Sequence, residues 1–153
     1  MTMRNSLLLA TALSVCTGTL PLAAQSKSKS KIIPEGWLPA LAPSIKSALN
    51  QLREANSQAE MNSLSRQVAE MTDAQLFIVY TRLYDRLSAK EREALAAEQT
   101  KWLKTRSQAA RAGIESEGGS LAPLEANNAE LTFTEKRLVE LRARLKAATG
   151  KDS

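Results

Sequence analysis

The sequence predicts an all-α protein: an antiparallel bundle of about four to five helices behind a signal peptide and a disordered basic linker. Three observations carry this. Four S/T-x-x-E/Q capping signatures each precede an apolar stripe. From Ser44 to Glu117 there is no proline and only one glycine, Gly113. β-branched residues never cluster, and period-two alternation is not sustained, so strand signals are absent.

Residues 1–24 read as an address. Arg4 precedes an uncharged run from Leu7 to Val15, and Ala23-Ala24 supply the small residues for cleavage before Gln25. Thr17, Gly18, Thr19 and Pro21 interrupt the run well short of the roughly 20 apolar residues that a membrane span needs. The alternative is a lipoprotein acylated on Cys16, against which stands bulky Val15 just before it. Cleavage after Ala24 leaves 129 of the 153 residues, without cysteine, in the periplasm or secreted.

Residues 25–43 form the linker. Gln-Ser-Lys-Ser-Lys-Ser-Lys buries nothing and is expected to be disordered. The charge of +5 sits largely in this tail. Setting aside Arg4, Lys27, Lys29 and Lys31 leaves 17 basic residues against 16 acids, a body of +1. That is no basic face for nucleic acid, and none is expected as a partner. The tail suits weak contact with an anionic cell wall or membrane, or is a solvated spacer. Pro34, Gly36, Pro39 and Pro43 keep the following stretch irregular, with Trp37 and Leu38 expected to pin it to the body. An exposed Trp37 points instead to a partner contact.

The helical domain spans residues 44–150. Ile45, Ala48, Leu49 and Leu52 form the stripe of a short helix starting near Pro43. Ser57 with Glu60, Thr72 with Gln75, Ser88 with Glu91 and Thr132 with Glu135 mark the next starts. After Thr72 the stripe is Leu76, Tyr80, Leu83 and Leu87. After Ser88 it is Leu95, Trp102, Leu103, Ala110 and Ile114, closed by Gly118-Gly119. After Thr132 it is Leu138, Leu141 and Leu145, closed by Gly150.

The chemistry available is narrow. The chain has no histidine, and Cys16 is its only cysteine, which excludes His- and Cys-based triads and zinc sites. Its six aromatic residues are too few and scattered for a single-strand stacking platform. Glu91 and Glu93, or Glu115 and Glu117, lie two apart on a helix and diverge, so they make no acid/base pair. No phosphate loop or metal-ligand spacing occurs. Neither catalytic residues nor a cofactor is expected.

Several short pieces then fall in order. Gln58-Ala59-Glu60-Met61-Asn62 precedes Asp73-Ala74-Gln75-Leu76. Leu95, Gln99, Trp102 and Arg106 follow as L-x-x-x-Q-x-x-W-x-x-x-R. Gly118-Gly119-Ser120 leads to Thr134-Glu135-Lys136-Arg137 and Glu140-Leu141. Over roughly Gln58 to Leu145 this resembles the lysozyme-inhibitor LprI-like family of small exported bacterial helical proteins. The resemblance implies a helical, non-enzymatic binding protein, with a lysozyme or another envelope protein as partner. It also implies paired cysteines that this chain lacks. Ala110 and Ala129 stand where two of them align, and another is missing after Met61-Asn62. Thr105 stands where the family tends to have an aromatic residue.

Asp73, Gln99, Trp102, Arg106 and Arg137 are read as a structural motif. Trp102 and Arg106 share a helix face, so the guanidinium can lie by the indole or reach an acid, Asp73 first and Glu140 second. The competing reading makes Arg106 a ligand-binding cation. The candidate partner-binding residues are Glu117, Gly118, Gly119, Ser120 and Glu125, where a glycine-containing loop on a rigid scaffold suits recognition. A plain helix connection is the alternative. Two functions follow: occlusion of a lysozyme's sugar cleft, or a structural or adaptor role in the envelope through the Lys tail.

Overall fold

The structure, a computed structural model of the chain, describes residues 34, 37–116 and 119–150. The segment read as a signal peptide, the Lys-rich stretch after it, Glu117 and Gly118 lie outside the described residues. Four helices follow one another: α1 (Ala42–Glu54), α2 (Gln58–Arg86), α3 (Ala89–Ala112) and α4 (Ala122–Gly150). Among the described residues there is no strand, and no helix is long and apolar enough to cross a membrane.

Two of the four anticipated starts are where the sequence puts them. Ser57 caps α2 by accepting the Glu60 N–H at 3.2 Å, while the Glu60 carboxylate reaches back to the Asn56 N–H at 3.1 Å. Ser88 and Glu91 form the reciprocal capping box of α3. The other two are corrected. Thr72 lies buried in the middle of α2 and gives its hydroxyl to the Val68 carbonyl at 2.8 Å. Thr132 sits inside α4 and bonds the Asn128 carbonyl at 2.9 Å. A hydroxyl that turns back on its own helix caps nothing. With no proline or glycine in the interior of either helix, the neighbouring stripes merge into single 29-residue helices.

α3 does not run to Gly118-Gly119. It closes at Gly113, whose N–H donates to the Ala109 carbonyl at 2.8 Å. A Cβ on Gly113 would lie 2.7 Å from the Cβ of Ala129, so α3 ends where it meets α4 with no room for a side chain. α4 then starts with Pro123 in its first turn, where the missing N–H is no loss.

Cross-helix hydrogen bonds fix the directions. Asn62 to Ser120, Ser65 to Asn127 and Asp73 to Thr134 ascend together, so α2 and α4 run parallel. Ala129 by Gly113, Thr134 by Arg106 and Arg137 by Gln99 ascend against each other, so α3 runs antiparallel to α4. α2, α3 and α4 therefore alternate in direction as expected. α4 packs along both α2 and α3, α1 packs on α2, and the backbones of α2 and α3 approach each other only marginally.

The apolar core gathers at the end where α2 turns into α3. It comprises Leu76, Val79 and Leu83 of α2, Leu95 of α3, and Leu138 and Leu141 of α4. Arg92 locks that corner by donating to the Tyr84 and Asp85 carbonyls at 2.8 and 3.2 Å, satisfying the end of α2. The linker behaves differently from expectation: Trp37 is 79% exposed and does not pin the segment to the body.

Gly113→Ala is expected to destabilise the protein by about 1–3 kcal/mol through overpacking, read as a lower urea midpoint. Adding Ala129→Gly should recover much of the loss. An unchanged midpoint for the single variant contradicts the close approach of α3 and α4.

Candidate functional site

The five motif residues come together on three helices. Arg106 of α3 forms a hydrogen-bonded ion pair with Asp73 of α2, the partner ranked first from the sequence. Thr134 of α4, fully buried, donates to the same Asp73 oxygen at 3.1 Å and accepts from Arg106 at 3.3 Å. The hydroxyl serves as donor and acceptor at once, so one small group ties α4 to both neighbours. The Arg106 guanidinium also lies 5.1 Å from the centre of the Trp102 ring, a cation–π distance that the i, i+4 spacing delivers.

Arg137 is only 6% exposed. It donates to Gln99 on α3 at 3.1 Å and to Glu140 on its own helix at 2.6 Å. Glu98 approaches it at 3.5 Å and takes a 2.6 Å bond from Arg144. Two arginines and two glutamates thus balance, and Glu140 serves Arg137 rather than Arg106. The hydrogen bond from Arg144 holds the Glu98 carboxyl below its usual range.

Because α2 and α3 stand apart, an open groove of about 370 Å³ lies between them. Asp73, Gln99, Trp102 and Arg106 line it, with Phe77 and Tyr80. Arg137 stands behind it through Gln99. Burial and neighbouring Tyr84 push the Tyr80 phenol above its usual value, which keeps the hydroxyl protonated. Among the described residues, no cluster of three or more Cys, Asp or Glu could hold a metal ion.

The α3–α4 loop has its own bracing. One oxygen of Glu125 accepts the N–H groups of Glu115 and Ser116 at 3.1 and 3.0 Å and the Ser116 hydroxyl at 2.7 Å. Those bonds depress the Glu125 carboxyl. Across the loop, the Ser120 carbonyl accepts from Asn62 at 2.9 Å. Gly119 and Ser120 are exposed, between the part-exposed side chains of Ile114 and Leu121. Eleven residues of α2 separate Asn62 from Asp73, so loop and groove lie about 16 Å apart along the helix.

Sequence reasoning named Asp73, Arg106 and Arg137 but not Thr134, Tyr80, Glu98 or Arg144 as their partners. Thr134 did carry a signal, since it falls with Arg137, Leu138 and Leu141 on one helical face.

A sequence model of the family described as Lysozyme inhibitor LprI matches residues 49–141. No curated protein and no solved structure gives a significant match.

Glu125 and Glu98 bind protons less readily folded than unfolded, so their contribution holds above the usual pKa of 4.5 and fades as pH falls below it. Glu125→Gln is accordingly expected to show a shallower acid limb of stability than the parent protein; identical limbs contradict the bracing. The apposition of α3 and α4 near Ala129 supports a second expectation. Ala110→Cys with Ala129→Cys, once oxidised, should form an intramolecular disulfide that stabilises by about 2–4 kcal/mol. Persistent free thiols under oxidising conditions contradict it.

Proposed function

The chain belongs to the LprI family, and from that premise we propose that it is an exported envelope protein that inhibits a lysozyme by occluding its substrate cleft. Family membership carries this reading. On this reading the protein is a binder and not an enzyme, located in the periplasm or outside the cell after loss of residues 1–24.

The α3–α4 loop is the surface proposed to enter the cleft, through Glu117, Gly118, Gly119 and Ser120 flanked by Ile114 and Leu121. Bracing by Glu125 and Asn62 supports this choice. A loop whose flanking residues Ser116 and Ser120 are already hydrogen-bonded in place loses less conformational freedom on binding, so more of its contact energy appears as affinity. Glu125 acts here as a positioning residue, since its hydrogen bonds point inward. With a body charge of +1, recognition rests on short-range fit and not on long-range attraction. Inhibition is therefore insensitive to moderate salt.

The exposure of Trp37 favours a second reading. An exposed indole six positions after Lys31 in the sequence, which also carries Lys27 and Lys29, suits an adaptor that touches an anionic wall or membrane surface. Co-sedimentation with anionic vesicles that is lost when the three lysines become serine supports it.

The deciding assay follows lysozyme-catalysed clearing of a cell-wall suspension with purified residues 25–153. The chain is expected to slow clearing, and Ile114→Ser with Leu121→Ser is expected to weaken inhibition at least about tenfold, the loss of one interface anchor. Undiminished lysozyme activity at high micromolar protein rejects the inhibitor reading.

A further inference from the structure

We propose that the groove between α2 and α3 is a binding site for a short uncharged saccharide, held against Trp102 and Phe77 and hydrogen-bonded by Gln99 and Asp73.

Size and openness come first. About 370 Å³ falls in the range of roughly 300–1,000 Å³ typical of small-molecule sites. The groove stays open because α4 holds α2 and α3 apart, and the rim residue Phe77 is 65% exposed.

Charge narrows the ligand. Asp73 is paired with Arg106, and Glu98 and Glu140 are paired with Arg137 and Arg144. A phosphate or an ammonium group finds no uncompensated partner there and must break an existing pair to gain one. The groove therefore selects a neutral occupant.

Polarity narrows it further. Gln99 spends its carbonyl oxygen on Arg137, leaving its amide N–H groups unpartnered among the described residues. Asp73 uses one oxygen for both Arg106 and Thr134, which leaves the other. A hydrocarbon lying here strands each of these groups, at about 1–3 kcal/mol apiece. The aromatic rings set between the polar groups supply what a purely polar ligand does not use. A pyranose ring matches both demands, with an apolar C–H face and a rim of hydroxyls that donate and accept.

This site is separate from the α3–α4 loop, so its test is independent of lysozyme inhibition. In residues 25–153 carrying Trp37→Phe, Trp102 is the sole tryptophan and reports directly from the groove. Its fluorescence is titrated with cellobiose, maltose and N,N′-diacetylchitobiose, with circular dichroism confirming the fold of each variant. A saturable change with at least one disaccharide is expected, weakened at least about fivefold by Phe77→Ala and by Gln99→Ala, the loss of a single contact of roughly 1 kcal/mol. Phe77 is largely exposed, so its truncation tests the groove without disturbing the core. Ile114→Ser with Leu121→Ser should leave the titration unchanged. The proposal is overturned by a flat titration with all three sugars up to roughly 10 mM, or by a response that both groove variants leave intact. It is equally overturned by sedimentation that shows a dimer dissolved by Phe77→Ala, since a second copy then covers the groove.

Discussion

One carboxylate oxygen organises this molecule. Asp73 on α2 takes hydrogen bonds from Arg106 on α3 and Thr134 on α4, and Thr134 in turn accepts from Arg106. The three groups form a closed ring in which each helix is bonded to the other two. Such a ring fixes register, because sliding any one helix by a turn strands a charge that is partly shielded from water. Water still reaches Asp73, so the node contributes more to choosing one packing than to raw stability.

The apolar core alone leaves that choice open. Its five leucines and one valine sit at the end where α2 turns into α3, and leucine packs on leucine in several registers. The polar half, from Ser65 and Asn127 to Asp73 and Thr134, continues the same alignment of α2 with α4. Arg137 extends it toward the core by reaching Gln99 on α3. With α4 wedged against both α2 and α3, those two helices stay apart and the groove between them remains open. The motif residues thus both set the helix register and line the cavity that this register leaves. Arg106 stands both in the node and in the wall of the groove.

Much of this was legible in the letters. Ser57 and Ser88 start helices because their hydroxyls precede an acid three residues on, and the i, i+4 spacing set Arg106 over Trp102 with Asp73 in reach. Thr72 and Thr132 present the same letters in the middle of helices. Whether such a hydroxyl caps forward or bonds back depends on whether the preceding chain is already helical, which a local pattern does not encode. The end of α3 was misplaced for a tertiary reason. Gly118-Gly119 looked like the stop, but Gly113 is the residue that faces Ala129, and that neighbour lies 16 positions later in the chain. The groove is a spacing between helices and leaves no trace in the periodicity of any one of them.

The register of the bundle rests on the ring formed by Asp73, Arg106 and Thr134, and a double-mutant cycle tests this most directly. Asp73→Ala, Arg106→Ala and the double variant are compared by urea denaturation. The double variant is expected to lose less than the two single losses combined, with a coupling energy of about 0.5–1.5 kcal/mol. Losses that add to within about 0.3 kcal/mol would mean that the two residues stabilise the protein independently, and that the register of the bundle is set elsewhere.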